Sequence, residues 1–266
     1  MHIPTGSRVA LKKLFEEDHP YEEDIARHLS SDPLSKNSRN HCVPLLDVLH
    51  PPLKDGDRDL RILVMPLLRP FDSPNFDTFG EAIECIRQLF EVRFSYSLSE
   101  ITSSLIYLRD CSLCMKIISR IGAFSFYPVF ETRQLDCFRD LKSNNFMIES
   151  EKMFPEGYHP RKDLRKPDLS GPARFYTRTQ CPSKYFIIDF GMSRRYESDN
   201  DSPVESTVTE KGVQLQNPFQ VDVYLAGELL RQVFLDVSQA SSFVMQIILT
   251  ILGSPRYVNH SWIHRF

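Results

Sequence analysis

Asp189 closes an apolar run, Tyr185 to Ile188, and Phe190-Gly191 follow it in the stretch Y-F-I-I-D-F-G-M-S-R-R. Four apolar residues in a row read as a short buried strand that delivers the carboxylate to its end, where an aspartate can hold a metal ion. Phe190 can fold back into a core, and Gly191 lets the backbone turn sharply. Taken alone, the triplet D-F-G reads equally as a strand-capping aspartate before a turn. Val9-Ala10-Leu11-Lys12 is a second apolar run that ends in a charge, with Lys13 as the alternative if the register slips. By itself that lysine is also a solvent-facing strand end. Of six cysteines only Cys111 and Cys114 have C-x-x-C spacing, and no second pair completes a zinc site. Free thiols in a reducing compartment are the better reading.

The elements that must position these residues follow from periodicity. Tyr21 to Leu29 predicts a helix, with Pro20 at its start and Ile25 and Leu29 four apart on an apolar face. Ser30 to Asn40 is a polar loop. His41 to Leu49 and Leu60 to Met65 predict two strands around the turn Lys54-Asp55-Gly56-Asp57. Arg69 to Asn75 is an irregular connector, and Phe79 to Phe90 predicts an amphipathic helix whose stripe is Phe79, Ile83, Ile86 and Phe90. Phe146-Met147-Ile148 reads as a strand, and Asp222 to Leu235 and Phe243 to Leu252 as buried helices. Met153 to Ser183 is rich in proline and charge; its basic residues, among them Arg161, Lys162, Arg174 and Arg178, are interleaved with acids, which favours a solvated loop over a docking patch.

The composition is that of an ordinary globular chain: 266 residues, 41% hydrophobic, 25% charged, net charge -3. Such a balance implies neither nucleic acid nor an acidic membrane as partner. The N-terminus has no apolar signal-peptide core, and the most apolar stretch, Leu105 to Phe130, is interrupted by Arg109, Asp110, Lys116 and Arg120. An intracellular location is expected, cytoplasmic, with the nucleus open.

Three motifs recur in one order. Phe138 to Asn145 reads F-R-D-L-K-S-N-N, close to the protein-kinase catalytic loop H-R-D-L-K-x-x-N with Phe138 in place of the histidine. D-F-G follows at Asp189, and Asp222 to Gly227, D-V-Y-L-A-G, is similar to the kinase helix start D-V-W-S-x-G. The sequence thus resembles a eukaryotic-type protein kinase. H-C-V-P-L-L-D-V-L from His41, I-L-V-M-P-L-L-R-P-F from Ile62 and Y-T-R-T-Q from Tyr176 resemble the kinase-like family abundant in mushroom-forming fungi, which carries an insert like Met153 to Ser183.

The resemblance implies an α+β, two-lobed protein-kinase-like fold. Residues 1–68 would be a partial β-rich N-lobe ending at the hinge, and 69–266 a partial, mainly helical C-lobe, with insertions at about 92–104, 114–137 and 153–183. The first two insertions are either genuine surface loops or translated intron. No G-x-G-x-x-G precedes Val9, no A-P-E follows Gly191 (Val208-Thr209-Glu210 is a poor substitute), and the closing helices are expected to be missing, so truncation at both ends is implied.

The implied reaction is phosphoryl transfer from ATP, with Mg2+, to a Ser or Thr hydroxyl of a protein; a catalytically inactive kinase-like scaffold is the alternative. Asp140 would take the hydroxyl proton, Lys142 neutralise the transferred phosphate, and Asn145 and Asp189 hold the metal. Lys12 would clamp the phosphates. Asp24, in a pattern D-I-A-R-H-L that resembles the family's E-I-x-x-x-L, would orient Lys12. Pro66 and Leu68 would offer hinge backbone to adenine, with Met65 behind it. Asp222 would hold the catalytic-loop backbone, and Phe138 would fill space against Phe190. Ser193, Ser198, Ser202, Ser206, Thr207 and Thr209 are candidate phosphorylation sites, with Arg139 as the group that would receive the phosphate.

Overall fold

A computed structural model describes residues 8–52, 58–91, 134–197, 205–209 and 212–216, together with Pro218, Val221, Asp222, Leu225, Ala226 and Leu229, which are helical. The expected insertion at 92–104, most of that at 114–137, and the helix from Phe243 lie outside the described residues. The fold is mixed α+β, with small antiparallel sheets and few helices.

The first sheet has the order β1 (Val9–Phe15), β3 (Leu60–Pro66), β2 (Asp47–Leu49), all antiparallel. Strand side chains alternate between faces, so Ala10, Lys12 and Leu14 share one side and Leu11 and Lys13 the other. Leu14, Leu63 and Val48 form a small core on the first side. That burial settles the register: Lys12 is carried on the inner face, and Lys13 is exposed.

α1 (Glu22–Leu29) follows β1 through a tight turn. Its first turn carries Glu22, Glu23 and Asp24 and its last Arg27 and His28, both of which suit the helix dipole. Its inward face is Glu22, Ile25 and Ala26, all buried, because residues three and four apart share a face. Asn40 then ties the following loop down, its amide donating to Leu29 O at 2.8 Å and to Leu34 O at 3.0 Å. Of the strand expected over His41 to Leu49 only its end, β2, is regular. The earlier part runs beside β7, with Val43 N–H donating to Ile187 O and Ile187 N–H to His41 O.

The second sheet has the order β4 (Arg69–Pro70), β6 (Phe146–Ile148), β7 (Tyr185–Ile187). Phe146 stacks on Tyr185 with centroids 5.4 Å apart and leans on Phe71 at the same distance. α2 (Phe79–Glu91) lies beside it. The buried face of α2 includes Glu81, Cys85, Ile86, Gln88 and Leu89, while Ile83 is half-buried. Of the expected apolar stripe, Ile86 is buried and Ile83 partly so, while the side chains of Phe79 and Phe90 lie outside the described residues. Two polar side chains go inward because they satisfy backbone groups: Gln88 Oε1 accepts Tyr185 N–H at 2.9 Å, and Glu81 accepts Thr179 N–H at 2.7 Å.

β5 (Gln134–Cys137), the tail of the second expected insertion, pairs with β8 (Arg194–Glu197), and β9 (Glu205–Thr209) forms a hairpin with β10 (Gly212–Gln216).

The stretch from Met153 to Ser183 is not the solvated loop its charge pattern suggests. Met153, Phe154, Tyr158, Ala173 and Arg178 are buried in it. Phe154 and Tyr158 stand 4.8 Å apart by centroid, and the Arg69 guanidinium lies over both rings. Arg8, just ahead of β1, lies over Tyr158 and donates to its carbonyl. Arg178 donates to Phe71 O at 2.8 Å and Asn75 O at 3.0 Å. Exposed charges at Arg161, Lys162 and Asp163 conceal these anchors in the sequence.

Candidate active site

Three backbone segments bring the predicted residues together. The first is the loop Phe138 to Asn145. Asp222, fully buried, accepts Phe138 N–H at 2.8 Å and Arg139 N–H at 2.5 Å through its two carboxylate oxygens. A carboxylate that takes two amides fixes the peptide plane at the loop's start, and Arg139 holds φ +61° there. Leu141, 1% exposed, anchors the next turn. Asp140 and Lys142 are thereby turned outward, their charged ends 3.0 Å apart. Asn145 is buried and donates through Nδ2 to the Asp140 carbonyl and to Asp140 Oδ2, each at 2.9 Å.

The second segment is the D-F-G turn. β7 pairs with β6, and Ile188 N–H donates to Asn145 O at 2.9 Å, which places the end of the strand beside the loop. Asp189 follows with φ +67°, a conformation that costs a non-glycine residue and is held here by its surroundings. Phe190 is buried and packs against Phe138 with centroids 6.0 Å apart, as the replacement of the loop's histidine led us to expect. Ser193 donates to Phe138 O at 3.2 Å and is 2% exposed, so it serves the turn and is not an accessible phosphorylation site.

The third segment is β1 with α1. Lys12 Nζ reaches Asp189 Oδ1 at 2.7 Å and also donates to Glu22 Oε1. The expected partner Asp24 is exposed and stands off this face. The correction is one of helical phase: Glu22 shares a face with Ile25, Ala26 and Leu29, whereas Asp24 is about 100° from Ile25. Helical phase sets Asp24 off that face, and the packing of α1 against β1 is what brings Glu22 to Lys12. Glu23 pairs instead with Arg27 at 2.7 Å and Arg61 at 2.9 Å, which hold its carboxyl below the usual range against the opposing effect of burial.

Burial alone would raise the Asp189 pKa. The Lys12 ammonium, the Gly191 N–H and His19 outweigh it and hold the carboxyl below its ordinary value. Asp189 is therefore an anion wherever the protein is folded near neutrality. Among the described residues no three His, Cys, Asp or Glu side chains gather as a self-sufficient metal cage. Asp189 and Asn145 supply oxygen ligands of the kind magnesium takes when phosphate and water complete its shell. With its amide nitrogen committed to Asp140, Asn145 has its carbonyl oxygen to offer. His19 had no motif to signal it; its ring meets the Gly191 carbonyl at 3.2 Å.

No protein-family model matches the chain, and no curated protein matches it. Among the described residues no helix is long and apolar enough to cross a membrane.

Proposed function

We propose that the chain is a protein-kinase-like phosphotransferase with a two-lobed arrangement, β1–β3 with α1 forming the small lobe and the rest the large one. The observation that carries this is the meeting of Lys12, Glu22 and Asp189 beside a loop on which Asp140, Lys142 and Asn145 are mutually bonded. The substrates are ATP and a Ser or Thr hydroxyl of a protein. Bound magnesium neutralises charge on the phosphates. Asn145 and Asp189 hold that ion, and Lys12, oriented by Glu22, clamps the phosphates. Asp140 accepts the hydroxyl proton as the oxygen bonds to the γ-phosphorus and the bond to the β-bridging oxygen breaks, releasing ADP. Lys142 offsets charge on the group in transfer. At the hinge, Leu67 N–H is spent on Arg8 O at 3.1 Å, so the flanking Pro66 and Leu68 are the positions that offer backbone to adenine.

A second reading, a catalytically inactive scaffold, is favoured by the segment between the D-F-G turn and Asp222. It carries Val208-Thr209-Glu210 where the family has A-P-E, and Thr209 ends a β-hairpin strand.

Thermal unfolding of the full chain with magnesium and ATP tests the first reading, since a ligand that binds only the folded state raises the midpoint. The expected result is an upward shift that needs both components, loses its magnesium dependence in Asp189→Ala, and persists in Asp140→Asn while phosphotransfer stops. A cooperative transition that does not shift overturns the phosphotransferase and leaves the scaffold.

A further inference from the structure

The D-F-G turn is gripped from outside the loop that performs the chemistry. Gly191 N–H donates to Asp189 Oδ1 at 3.2 Å, and Gly191 O faces His19 Nδ1 at 3.2 Å. A carbonyl oxygen only accepts, so Nδ1 carries the proton. A Cβ at Gly191 would stand 2.9 Å from His19 Nδ1, 3.1 Å from its Cε1 and 3.2 Å from Asp189 Oδ1. Glycine is thus required here by the approach of the imidazole and the carboxylate, since its backbone φ is not in the left-handed region.

His19 is itself fixed. Its N–H and that of Asp18 both donate to Phe15 O at 3.1 Å, and Glu22 N–H lies 3.4 Å from His19 O. It therefore sits in the tight turn that joins the end of β1 to the start of α1, three residues before Glu22. That same unit carries Lys12. We propose that His19 is a positioning residue that latches the Gly191 peptide to the β1–α1 turn and so fixes the aim of the Asp189 carboxylate. The aiming of a metal ligand rests on the phosphotransferase reading; the latch itself does not. Gly191 is held on both sides, its N–H by Asp189 Oδ1 in the peptide from Phe190 and its carbonyl by His19 in the peptide to Met192, so Asp189 keeps its left-handed backbone without being freed to swing from Lys12.

Hydrogen exchange across the peptide from Asp189 to Arg194 tests the latch on the full chain. His19→Leu keeps bulk and removes the donor, whereas His19→Asn places an amide N–H near the position of Nδ1. The expected result is faster exchange at Gly191 and Ser193 in His19→Leu, by up to about tenfold, the worth of one hydrogen bond. His19→Asn should match the unmodified chain, and β1 and β3 should be unchanged in both. The magnesium concentration that gives half of the ATP-dependent thermal shift should rise several-fold in His19→Leu alone. Equal exchange in His19→Leu and the unmodified chain overturns the latch, as does failure of His19→Asn to restore it. Altered exchange with an unaltered magnesium requirement overturns the role in aiming Asp189. An unmodified chain that ignores magnesium and ATP would overturn the phosphotransferase and, with it, that aiming role, while the exchange arms still decide the latch.

Discussion

Lys12 Nζ stands 2.7 Å from Asp189 Oδ1, although the two residues are 177 positions apart. The same ammonium holds Glu22, so one cation joins β1, α1 and the turn after β7. Glu22 is 2% exposed, and its second oxygen has no hydrogen-bond partner among the described residues. Lys12 is thus what makes a nearly dehydrated carboxylate tolerable.

Replacement of Lys12 by Met should therefore cost stability even without nucleotide. Breaking a fully buried pair costs about 3–5 kcal/mol, and the partial exposure of Lys12 reduces the expectation to roughly 2 kcal/mol. Adding Glu22→Leu to Lys12→Met should recover most of that loss, because the fully buried carboxylate is then gone and Asp189, which also loses its cation, is partly open to water. Urea unfolding of the two variants checks this; a double variant no more stable than the single one would show that Glu22 is not the source of the cost.

His41 should make stability fall with acidity. Its Nδ1 meets Tyr185 O at 2.8 Å and its Nε2 meets Glu91 Oε2 at 3.1 Å. Burial pushes its pKa down, and those two contacts with the charge of Glu91 resist only in part, while the charge of Lys184 adds to the fall. The unfolded chain then binds the proton more readily than the folded one. Stability is full above the ordinary imidazole pKa of about 6.5 and declines as pH drops below it. Chemical denaturation at pH 7.5 and 5.5 should show a smaller loss in His41→Gln than in the unmodified chain; equal losses would clear His41 of the effect.

The stretch from Met153 to Ser183 should behave as a brace and not as a loop. Tyr158 is buried between Arg8 and Arg69. Tyr158→Ala should cost about 3 kcal/mol or more, the usual consequence of removing a buried ring, and Tyr158→Phe far less. In limited trypsin digestion, exposed Arg161 and Lys162 should be cut well before buried Arg178. Early cleavage at Arg178 would contradict the brace.

Much of the site was legible as a set of local patterns. The apolar run ahead of Asp189 became β7, Phe138 packed on Phe190, and Asp222 took up the loop's amides, as the kinase resemblance implied. Less legible were features set by phase or by distant partners. Glu81 and Gln88 are buried on α2 because they serve Thr179 and Tyr185, roughly a hundred residues away. Arg178 reads as surface charge until Phe71 O, Asn75 O and the Phe76 ring are known to surround it.

By itself the sequence determined the strand and helix periods, the apolar run that delivers Asp189 to its end, and the spacing of Asp140 and Asn145 along one loop. Those depend on backbone geometry over a few residues, which is repeated wherever the same pattern occurs. Only the tertiary structure decided that Glu22 and not Asp24 takes Lys12, that His19 meets Gly191, and that a charged stretch wraps Arg69. Each of those contacts joins residues separated by a folded core, and its partner is chosen by which faces that core brings within hydrogen-bond reach.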